Sequence, residues 1–429
     1  MTTRQTTSPT TSRNLPARTG VLVVGAGEAG VRVAASLREL GYDRPILLLG
    51  EEPHRPYQRP PLSKTFLDGT ADHDALALRT PEFYAEAAID LRTGRMVTHV
   101  DLDGSGAGAA HCEDGDAVAF DHLVLATGAR ARTLPVAGAD LTGVCTLRSL
   151  QDAEALRERL ASAGRVVVLG AGYIGLEAAA VTSARGLDTT VVERADRLLS
   201  RVSAAPLSEF LLARHREWGV DFRLGTEVEA VVGDGGRARG VRLGGGQVVP
   251  ADLVVVGVGA VPETALAEKL GLRVQRGIAV DAAGRTSHPM VFAAGDCTVR
   301  PHPHLPGELL GVESVQNANE QARAVAASIA GVTPPAPPVP WFWSDQRDLK
   351  LQIAGISGGH DRYVIRGHPG DGDVSVLYYR AGALIASESV NRPKDFMAVK
   401  RALGKGATIP PRAAADAATP LKDLILEPA

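Results

Sequence analysis

Two stretches of the chain repeat one arrangement of apolar and polar positions. Each has a short apolar run, a glycine-rich turn, a segment with apolar residues near the helical period of about 3.6, and a second apolar run that ends in an acid. The first stretch is VLVVGAGEAGVRVAASLREL followed by ILLLGEE, and the second is VVVLGAGYIGLEAAAVTSARG followed by TTVVER. Strand, turn, helix and strand in this order predict a parallel βαβ unit, so we expect two nucleotide-binding domains of the Rossmann type.

A third region follows the proline-rich segment TPPAPPVP at residues 333–340, which favours an extended spacer. Beyond it, apolar Leu349, Leu351 and Ile353 alternate with more polar neighbours, which is the period of a half-buried strand. Residues 374–387 indicate a hairpin, and a helix is predicted near residues 394–403. The predicted fold class is therefore α/β, with two Rossmann-like dinucleotide-binding domains and a small C-terminal α+β domain that ends in a loose tail.

Composition limits this picture further. The chain has 429 residues, 45% hydrophobic and 22% charged, which fits a globular protein of roughly three domains. Its formal net charge of −3 gives no electrostatic case for binding nucleic acid. The longest apolar run, residues 253–261, is far below the ~18 residues that a membrane-spanning helix needs. Residues 1–17 lack an apolar core, so we expect a flexible tail rather than a secretory signal, with an organelle transit peptide as the alternative.

The three cysteines, Cys112, Cys145 and Cys297, lie far apart in the sequence. They form neither a disulfide framework nor the ligand spacing of a metal site, so no metal is expected. Unpaired cysteines suit a reducing compartment, and the sequence therefore predicts a cytoplasmic protein.

The first glycine-rich turn, Gly25-Ala-Gly27-Glu-Ala-Gly30, has the spacing of a dinucleotide-binding fingerprint. In such turns the first glycine permits a tight bend, the second lets the backbone approach a pyrophosphate, and the third lets the helix pack on the strand. The phosphates then meet free N–H groups at the start of the helix. Glu51 follows the next apolar run, where a carboxylate can accept both ribose hydroxyls.

The second turn, GAGYIG at residues 170–175, stands in the same context, with Glu193 closing its second strand. A carboxylate there favours a free 2′-hydroxyl and repels a 2′-phosphate, so we expect NADH rather than NADPH. Arg194 and Arg197 leave NADPH open, because a guanidinium group can hold a phosphate. Two such domains in one chain indicate FAD in one and a nicotinamide coenzyme in the other.

Further motifs narrow the prediction. They are RPYQRPPLSK at residues 55–64, ATGAR at 126–130, TSHPMVFAAGD at 286–296, VESVQNANEQA at 312–322 and PWFWSDQ at 340–346. Together with the two glycine-rich turns they resemble the NADH-dependent ferredoxin reductases of bacterial oxygenase and cytochrome P450 systems, the putidaredoxin-reductase and rubredoxin-reductase type. The resemblance runs from about Val21 to about Leu403. It implies a glutathione-reductase-like fold, FAD and NADH as cofactors, and electron transfer to a [2Fe–2S] ferredoxin that serves an oxygenase.

The resemblance also implies a divided FAD-binding domain, residues 18–127 and 254–333. The NAD-binding domain is inserted at residues 128–253, and the C-terminal domain occupies residues 341–429. Contacts with the two cofactors are implied for Gly25, Gly27, Ala29, Gly30, Glu51, Lys64, Val97, Arg130, Asp296, Val315, Trp343, Gly170, Gly172, Tyr173, Ile174, Gly175, Glu193 and Gly259. Val97 is the weakest of these, because a lone apolar residue beside a strand usually packs in the core.

Lys64 and Glu177 are the residues expected to act in the chemistry. A fixed ammonium group near the flavin stabilises the negative charge that the arriving hydride creates. Glu177, two residues past Gly175, could pair with Lys64 across the domain boundary. The alternatives are a solvated loop charge for Lys64 and an exposed helix residue for Glu177. Tyr173 either covers the nicotinamide face of the flavin or is an ordinary packed aromatic residue.

The segment PYQRPPLSK at residues 56–64 contains no cysteine, although flavoprotein disulfide reductases carry their redox thiols in this region. Cys297 is expected to be an isolated buried thiol. Electrons are therefore expected to leave the flavin directly, and Trp343 either shapes their route or only packs.

The expected protein is a monomer whose partner is an acidic [2Fe–2S] ferredoxin, with no nucleic-acid or membrane partner. Its docking face could be formed by four basic residues, which are otherwise solvated surface: Arg300, Arg323, Arg392 and Lys394. A rubredoxin reductase or an NADH oxidase is the alternative activity, and residues near the flavin do not separate these. A redox-sensing binding protein similar to apoptosis-inducing factor is disfavoured by the net charge and by the short C-terminal region.

Overall fold

The structure, a computed structural model, describes residues 14–103 and 107–427. Residues 1–13 of the predicted flexible tail lie outside the described residues, and the chain enters its first strand at Arg18.

The first part of the chain builds most of a mixed, seven-stranded sheet. Its elements are β1 (Arg18–Val24), α1 (Glu28–Glu39), β2 (Ile46–Leu49), a 3-10 turn (Pro60–Ser63), α2 (Thr65–Asp68), α3 (His73–Leu76), α4 (Pro81–Glu86), β3 (Ile89–Arg92), β4 (Val97–Leu102), β5 (Gly108–Cys112) and β6 (Ala117–Leu125). The strand order is β3-β2-β1-β6-β5-β4, parallel from β3 to β6 and antiparallel beyond it. Residues 19–24 of β1 are all buried, which is typical of a strand covered on both faces.

The middle part builds a second, five-stranded parallel sheet. Its elements are β7 (Ala129–Ala131), β8 (Val144–Thr146), α5 (Leu150–Leu160), β9 (Arg165–Leu169), α6 (Tyr173–Ala184), β10 (Asp188–Val192), α7 (Ala205–Glu217), β11 (Asp221–Arg223), β12 (Val228–Asp234), β13 (Arg237–Leu243), β14 (Val248–Pro250), β15 (Leu253–Val256) and β16 (Ala260–Pro262). The strand order is β11-β10-β9-β15-β8, and β12, β13 and β14 form a separate antiparallel sheet.

One predicted domain boundary is wrong. The sequence prediction resumes the FAD-binding domain at residue 254, but β15 lies between β9 and β8 in the second sheet. All four of its side chains are buried, because it is a central strand of a parallel sheet. The chain crosses between the two sheets through the antiparallel pair β7 and β16, where Ala131 pairs with Ala260.

The chain then returns to the first sheet. Its elements here are α8 (Ala265–Lys269), β17 (Ile278–Ala279), β18 (Val291–Ala293), β19 (Thr298–Pro301), β20 (Leu309–Leu310) and α9 (Val315–Ile329). β18 adds to the first sheet in parallel with β6, and α9 packs along α1. The two separated segments therefore share one hydrophobic core, in which Val33 and Ala34 of α1 cluster with Ala322 and Val325 of α9.

The C-terminal domain is an antiparallel five-stranded sheet with a helix on one face. Its elements are β21 (Trp341–Gln346), β22 (Leu349–Gly355), β23 (Arg362–Arg366), a 3-10 turn (Pro369–Asp371), β24 (Val374–Arg380), β25 (Ala383–Val390), α10 (Pro393–Gly404), α11 (Pro411–Ala414) and a final 3-10 turn (Leu421–Leu424). The strand order is β21-β22-β25-β24-β23, and β21 lies against α6 of the middle part. The predicted hairpin and helix both occur, at β24–β25 and α10.

The predicted loose C-terminal tail is wrong for the residues described. Ala414 and Leu421 are buried in the core that α10 forms with the sheet. The buried Arg366 of β23 donates hydrogen bonds to the backbone carbonyls of Ala414 and Thr419, among others. A guanidinium group that satisfies several carbonyls anchors this segment, although its alanine- and proline-rich sequence forms little regular structure.

Candidate functional site

The first glycine-rich turn, between β1 and α1, is shaped to admit a ligand at the helix N-terminus. Gly25 has φ +110°, and a Cβ there would lie 2.1 Å from the carbonyl oxygen of Ala126. A Cβ at Gly30 would lie 1.9 Å from the carbonyl oxygen of Gly25. At Gly27, by contrast, a Cβ would meet no described heavy atom within 4 Å. The outer glycines therefore serve packing, and the middle one leaves open space where a pyrophosphate fits.

The second turn, between β9 and α6, repeats this arrangement. A Cβ at Gly170 (φ +99°) would lie 2.5 Å from the Gly257 carbonyl oxygen, and one at Gly175 would lie 2.0 Å from that of Gly170. Above Gly172 the described part of the chain again leaves 4 Å of open space. The two free helix N-termini therefore both fit a dinucleotide.

Glu193 lies at the edge of the second turn. Its carboxylate accepts hydrogen bonds from the backbone N–H of Ala171 (2.7 Å) and of Ala195 (2.8 Å). Arg197 is turned to its own loop, where it donates to the carbonyls of Ser200 and Ser203. The group at this edge is thus a fixed anion, which favours a ribose hydroxyl over a 2′-phosphate.

Lys64 and Glu177 form an ion pair of 2.8 Å that joins the first part of the chain to α6. Glu177 is 1% exposed and Lys64 is 15% exposed, so neither is the solvated side chain of the alternative interpretation. Ser63 and Ser344 also donate hydrogen bonds to the Glu177 carboxylate. A buried charge with several donors is stably held, because its desolvation is offset by partners.

Asp296 lies in the turn after β18, close to the N-terminal end of α1. A Cβ on the preceding Gly295 would lie 3.0 Å from the Cβ of Ala29, so this turn crosses the first helix close to its N-terminus. The Asp296 carboxylate accepts a hydrogen bond of 2.7 Å from Arg148. Val315 opens α9, and Ser314 caps that helix through the N–H of Asn317.

Other predicted contact residues show no arrangement that points to a bound cofactor. Glu51 is exposed after β2, and the Val97 side chain is buried in a hydrophobic cluster. Arg130 is 59% exposed and pairs with Glu263 at 3.0 Å. Ile174 is also exposed, and Gly259 has φ +105° beside the guanidinium of Arg201.

Aromatic side chains project from both faces of β21. Phe342 packs on Tyr173 with ring centroids 4.8 Å apart. Trp343 points to the other face, where it packs on Trp341 at 5.5 Å and lines a cavity with Lys350 and Asn391, among others.

Tyr173 is further connected to a buried acid. Its hydroxyl lies near Ser203, which donates to Glu388 at 2.7 Å, and Tyr378 donates to the same carboxyl group. Burial raises the pKa of Glu388 to about 7. Glu388 is thus an uncharged acid in mildly acidic solution, placed close to the first residue of α6.

Several residues near the site were not predicted from the sequence. Arg148 pairs with Asp296, and Glu313 lies near both, where burial and the charge of Asp296 raise its pKa. Ser344 and Glu388 come from the C-terminal domain. Glu313 and Ser344 lie inside two of the motifs listed above, 312–322 and 340–346, but neither motif assigns them a role. Arg148 and Glu388 lie in no such motif, and their positions follow only from which elements the fold brings together.

The predicted docking residues differ in their surroundings. Arg300 pairs with Glu320, and Arg392 pairs with Asp373 and Asp395. Arg323 and Lys394 are exposed.

The thiol of Cys297 is buried, and its neighbours are the carbonyls of Leu125 and Ala294. Burial raises the pKa of this thiol, which makes it a poor nucleophile.

Within residues 14–103 and 107–427, no group of three or more His, Cys, Asp or Glu side chains could hold a metal ion. Across the same ranges, no helix combines the length and apolar composition that crossing a membrane requires.

Comparison with known proteins agrees with this geometry. Residues 19–322 match the family model described as pyridine nucleotide-disulphide oxidoreductase, and residues 341–425 match one described as reductase C-terminal. Rhodocoxin reductase of Rhodococcus erythropolis is 44% identical over 94% of this chain and 93% of its own. Putidaredoxin reductase of Pseudomonas putida is 40% identical over 95% of this chain and 97% of its own.

Solved structures show the same similarity. Putidaredoxin reductase in its covalent complex with putidaredoxin superposes with a TM-score of 0.91 at 39% identity, covering 95% of this chain and 98% of that one. A ferredoxin reductase from Rhodopseudomonas palustris gives a TM-score of 0.90 at 42% identity, covering 95% and 99%. The predicted fold class, the oxidoreductase activity and the use of FAD and NADH are thereby confirmed. The chain belongs to the pyridine nucleotide-disulphide oxidoreductase family, in the group of flavoprotein reductases that its sequence motifs resemble.

Proposed function

We propose that this protein is an NADH-dependent ferredoxin reductase, which takes a hydride from NADH and delivers single electrons to a [2Fe–2S] ferredoxin of a cytochrome P450 or ring-hydroxylating oxygenase. The relatives named as reductases of putidaredoxin and rhodocoxin support this activity. FAD, when bound, accepts two electrons together and releases them one at a time, so it supplies the redox chemistry. The protein supplies binding, orientation and charge.

The observation that carries the proposal is the Lys64–Glu177 pair. Lys64 follows the 3-10 turn after β2, and Glu177 lies in α6, the helix that follows the second glycine-rich turn. The pair therefore lies between the two sites that fit dinucleotides. The Lys64 ammonium group is largely shielded from water, and it would stabilise the negative charge of a reduced flavin bound beside it. Glu177 orients that ammonium group and makes its burial tolerable.

The remaining assignments follow from position. Glu193 binds the ribose of NADH, and Tyr173, packed on Phe342, covers the nicotinamide side of the flavin site. Asp296 holds the polar chain of FAD near the start of α1, oriented by Arg148. The glycines of the two turns admit the pyrophosphates.

No cysteine takes part in the proposed reaction. The three thiols are all buried: Cys112 and Cys297 in a cluster around the first sheet, and Cys145 in the core of the middle part. With FAD bound, electrons would therefore be transferred without a sulfur relay, and Trp343 and Trp341, which line a surface cavity, would border their route. This feature separates the protein from disulfide reductases of the same family.

Domain limits and location are part of the proposal. The FAD-binding domain comprises residues 18–128 and 263–333, and the NAD-binding domain lies between them, bounded by β7 and β16. The three unpaired cysteines suit the reducing cytoplasm, where we place the protein.

Stopped-flow spectroscopy tests this function. NADH should bleach the flavin absorption rapidly under anaerobic conditions, and NADPH should do so much more slowly. The reduced protein is then mixed with a [2Fe–2S] ferredoxin, with rubredoxin or with oxygen. Fastest transfer to the ferredoxin supports the proposal. Fastest transfer to rubredoxin would instead assign the second candidate activity, which a rubredoxin-NAD(+) reductase of Pseudomonas putida, 39% identical over 87% of this chain, favours.

A further inference from the structure

Strand β21 presents two chemically different faces. Its odd-numbered side chains, Trp341, Trp343 and Asp345, line the surface cavity described above. Its even-numbered side chains contact the middle part of the chain instead: Phe342 meets Tyr173, Ser344 meets Glu177 and Gln346 meets His215. This alternation follows from the two-residue period of a strand. One strand of the C-terminal domain therefore touches both the proposed exit side and the residues that hold Lys64.

The inner face carries a continuous chain of buried hydrogen bonds. The distances are 2.8 Å between His215 Nε2 and Gln346 Oε1, 3.1 Å between Gln346 Nε2 and Ser344 Oγ, and 2.6 Å between Ser344 Oγ and Glu177 Oε1. All four residues are at most 1% exposed. This series of hydrogen bonds ends on Glu177 Oε1, the same carboxylate oxygen that binds Lys64 Nζ.

The hydrogens in this chain all point toward Glu177. A carboxylate only accepts, so the Ser344 hydroxyl donates to it and accepts from the Gln346 amide. The Gln346 oxygen then takes the N–H of His215. His215 is neutral, because burial lowers its pKa to about 4, and an uncharged imidazole of one tautomer fits this role. From His215 Nε2 to Glu177 each donor meets an acceptor, whereas His215 Nδ1 has no hydrogen-bond partner among the described residues. A connected run of buried hydrogen bonds restricts the orientation of the side chains within it.

We propose that Ser344, supported by Gln346 and His215, is a positioning residue that fixes the Glu177 carboxylate and thereby the direction of the Lys64 ammonium group. The inference rests on the function proposed above for the Lys64–Glu177 pair. Without the Ser344 hydroxyl, Glu177 keeps Ser63 on its other oxygen but loses the only donor from the C-terminal domain that the described residues give it. The carboxylate can then turn with the ammonium group, and Lys64 is no longer held in one place.

The main test is the Ser344→Ala variant, with Ser387→Ala as the matched control. Ser387 is a fully buried serine of the same sheet, and among the described residues its hydroxyl has no hydrogen-bond partner. We expect Ser344→Ala to slow flavin reduction by NADH about three- to tenfold, with the apparent NADH affinity unchanged, and to make the flavin midpoint potential more negative. Ser344→Thr, which keeps the hydroxyl, should restore most of the rate. Ser387→Ala should change neither the rate nor the potential.

A double-mutant cycle tests whether Ser344 acts through Lys64. In a Lys64→Met background, Ser344→Ala should cause no further slowing, because the ammonium group that it positions is gone. Additive slowing in the double variant would overturn the proposal. So would a Ser344→Ala protein with a lower melting temperature but the wild-type rate and midpoint potential, since Ser344 would then only brace the interface.

A second variant covers the case in which Ser344→Ala loses FAD. Gln346→Met combined with His215→Phe removes both polar groups behind Ser344 and suits the aromatic surroundings of Trp218 and Phe222. Replacing both partners by apolar groups of similar shape is tolerated better than removing one. A roughly twofold slower reduction supports the proposal, and an unchanged rate contradicts it. Failure of the role proposed for the Lys64–Glu177 pair shows separately, because NADH would then reduce the flavin of the wild-type and Lys64→Met proteins equally fast.

Discussion

At the scale of single residues, Glu193 is the group that we propose binds the ribose of NADH. Its carboxylate is held by two backbone N–H groups at the edge of the second glycine-rich turn. We expect Glu193→Ala to weaken NADH binding about tenfold, as the loss of a charge-assisted hydrogen bond predicts. NADPH binding should change less, so the preference for NADH should narrow. Titration of the oxidised protein with each coenzyme measures this, and Glu209→Ala, an exposed position on α7, is the control. Unchanged NADH affinity would show that Glu193 does not contact the ribose.

Two buried titratable residues make opposite contributions to the pH dependence of stability. Burial lowers the pKa of His215 to about 4, and burial raises that of Glu388 to about 7. As pH falls from about 6.5 to 4, the unfolded chain protonates at His215 but the folded one does not, so stability is lost. As pH rises from about 4.5 to 7, the unfolded chain loses the Glu388 proton while the folded chain keeps it, so the folded state loses stability as pH rises. Each contribution amounts to about 3 kcal/mol, and between about pH 4.5 and 6.5 the two opposite slopes of stability against pH nearly cancel.

Removing one of the two groups should reveal the pH dependence of stability that the other causes. Relative to the wild type, Glu388→Gln should gain stability as pH rises from about 4.5 to 7, because it no longer has a proton to lose. His215→Gln should gain relative stability as pH falls from about 6.5 to 4. Apparent melting temperatures of each variant and the wild type, measured at several pH values, check both slopes. The nearby charges of Arg197 and Arg347 are the same in all three proteins. Variant-minus-wild-type differences that do not vary with pH would show that neither group titrates inside the protein.

At the scale of elements, the sequence predicts best what neighbouring residues determine. Both glycine-rich turns and the β24–β25 hairpin were predictable, because periodicity and glycine placement are local signals. The position of β15 was not, since an apolar run looks the same whichever sheet receives it. The C-terminal segment was misjudged because Arg366, almost fifty residues earlier, holds its carbonyls.

Arg366 gives this element-scale result a test. Arg366→Met should lower the free energy of unfolding by about 3 kcal/mol, because it removes one partner of the buried Asp395 and leaves several carbonyls without a donor. Residues 411–427 should then be cut by protease while the rest of the domain resists. Limited proteolysis with mass spectrometry and thermal melting measure both effects. The control is Arg362→Met, at an exposed position of the same strand. An Arg366→Met protein as protected as this control would show that core packing alone holds the segment.

At the scale of the whole molecule, the site is assembled from all three domains. Lys64 comes from the first, Glu177 from the second and Ser344 from the third. The first two are predictable from the sequence, because each lies in or beside a recognisable motif. Ser344 also lies in a motif, residues 340–346, but its role becomes visible only in the packing of β21 on α6, and that of Arg148 only in its contact with Asp296. Motifs therefore predict the binding of each cofactor, and the tertiary fold determines how their reactive ends are held.

The two faces of β21 predict that the two half-reactions can be impaired separately. Trp343→Ala alters the outer face, so it should slow electron transfer to the ferredoxin several-fold while flavin reduction by NADH changes much less. Phe342→Leu alters the inner face, where it loosens Tyr173, and should affect mainly the step with NADH. Sequential-mixing stopped flow measures both steps in one sample. Equal slowing of both steps in each variant would mean that the strand transmits every change to the flavin, and that the outer face is not a separate route for electrons.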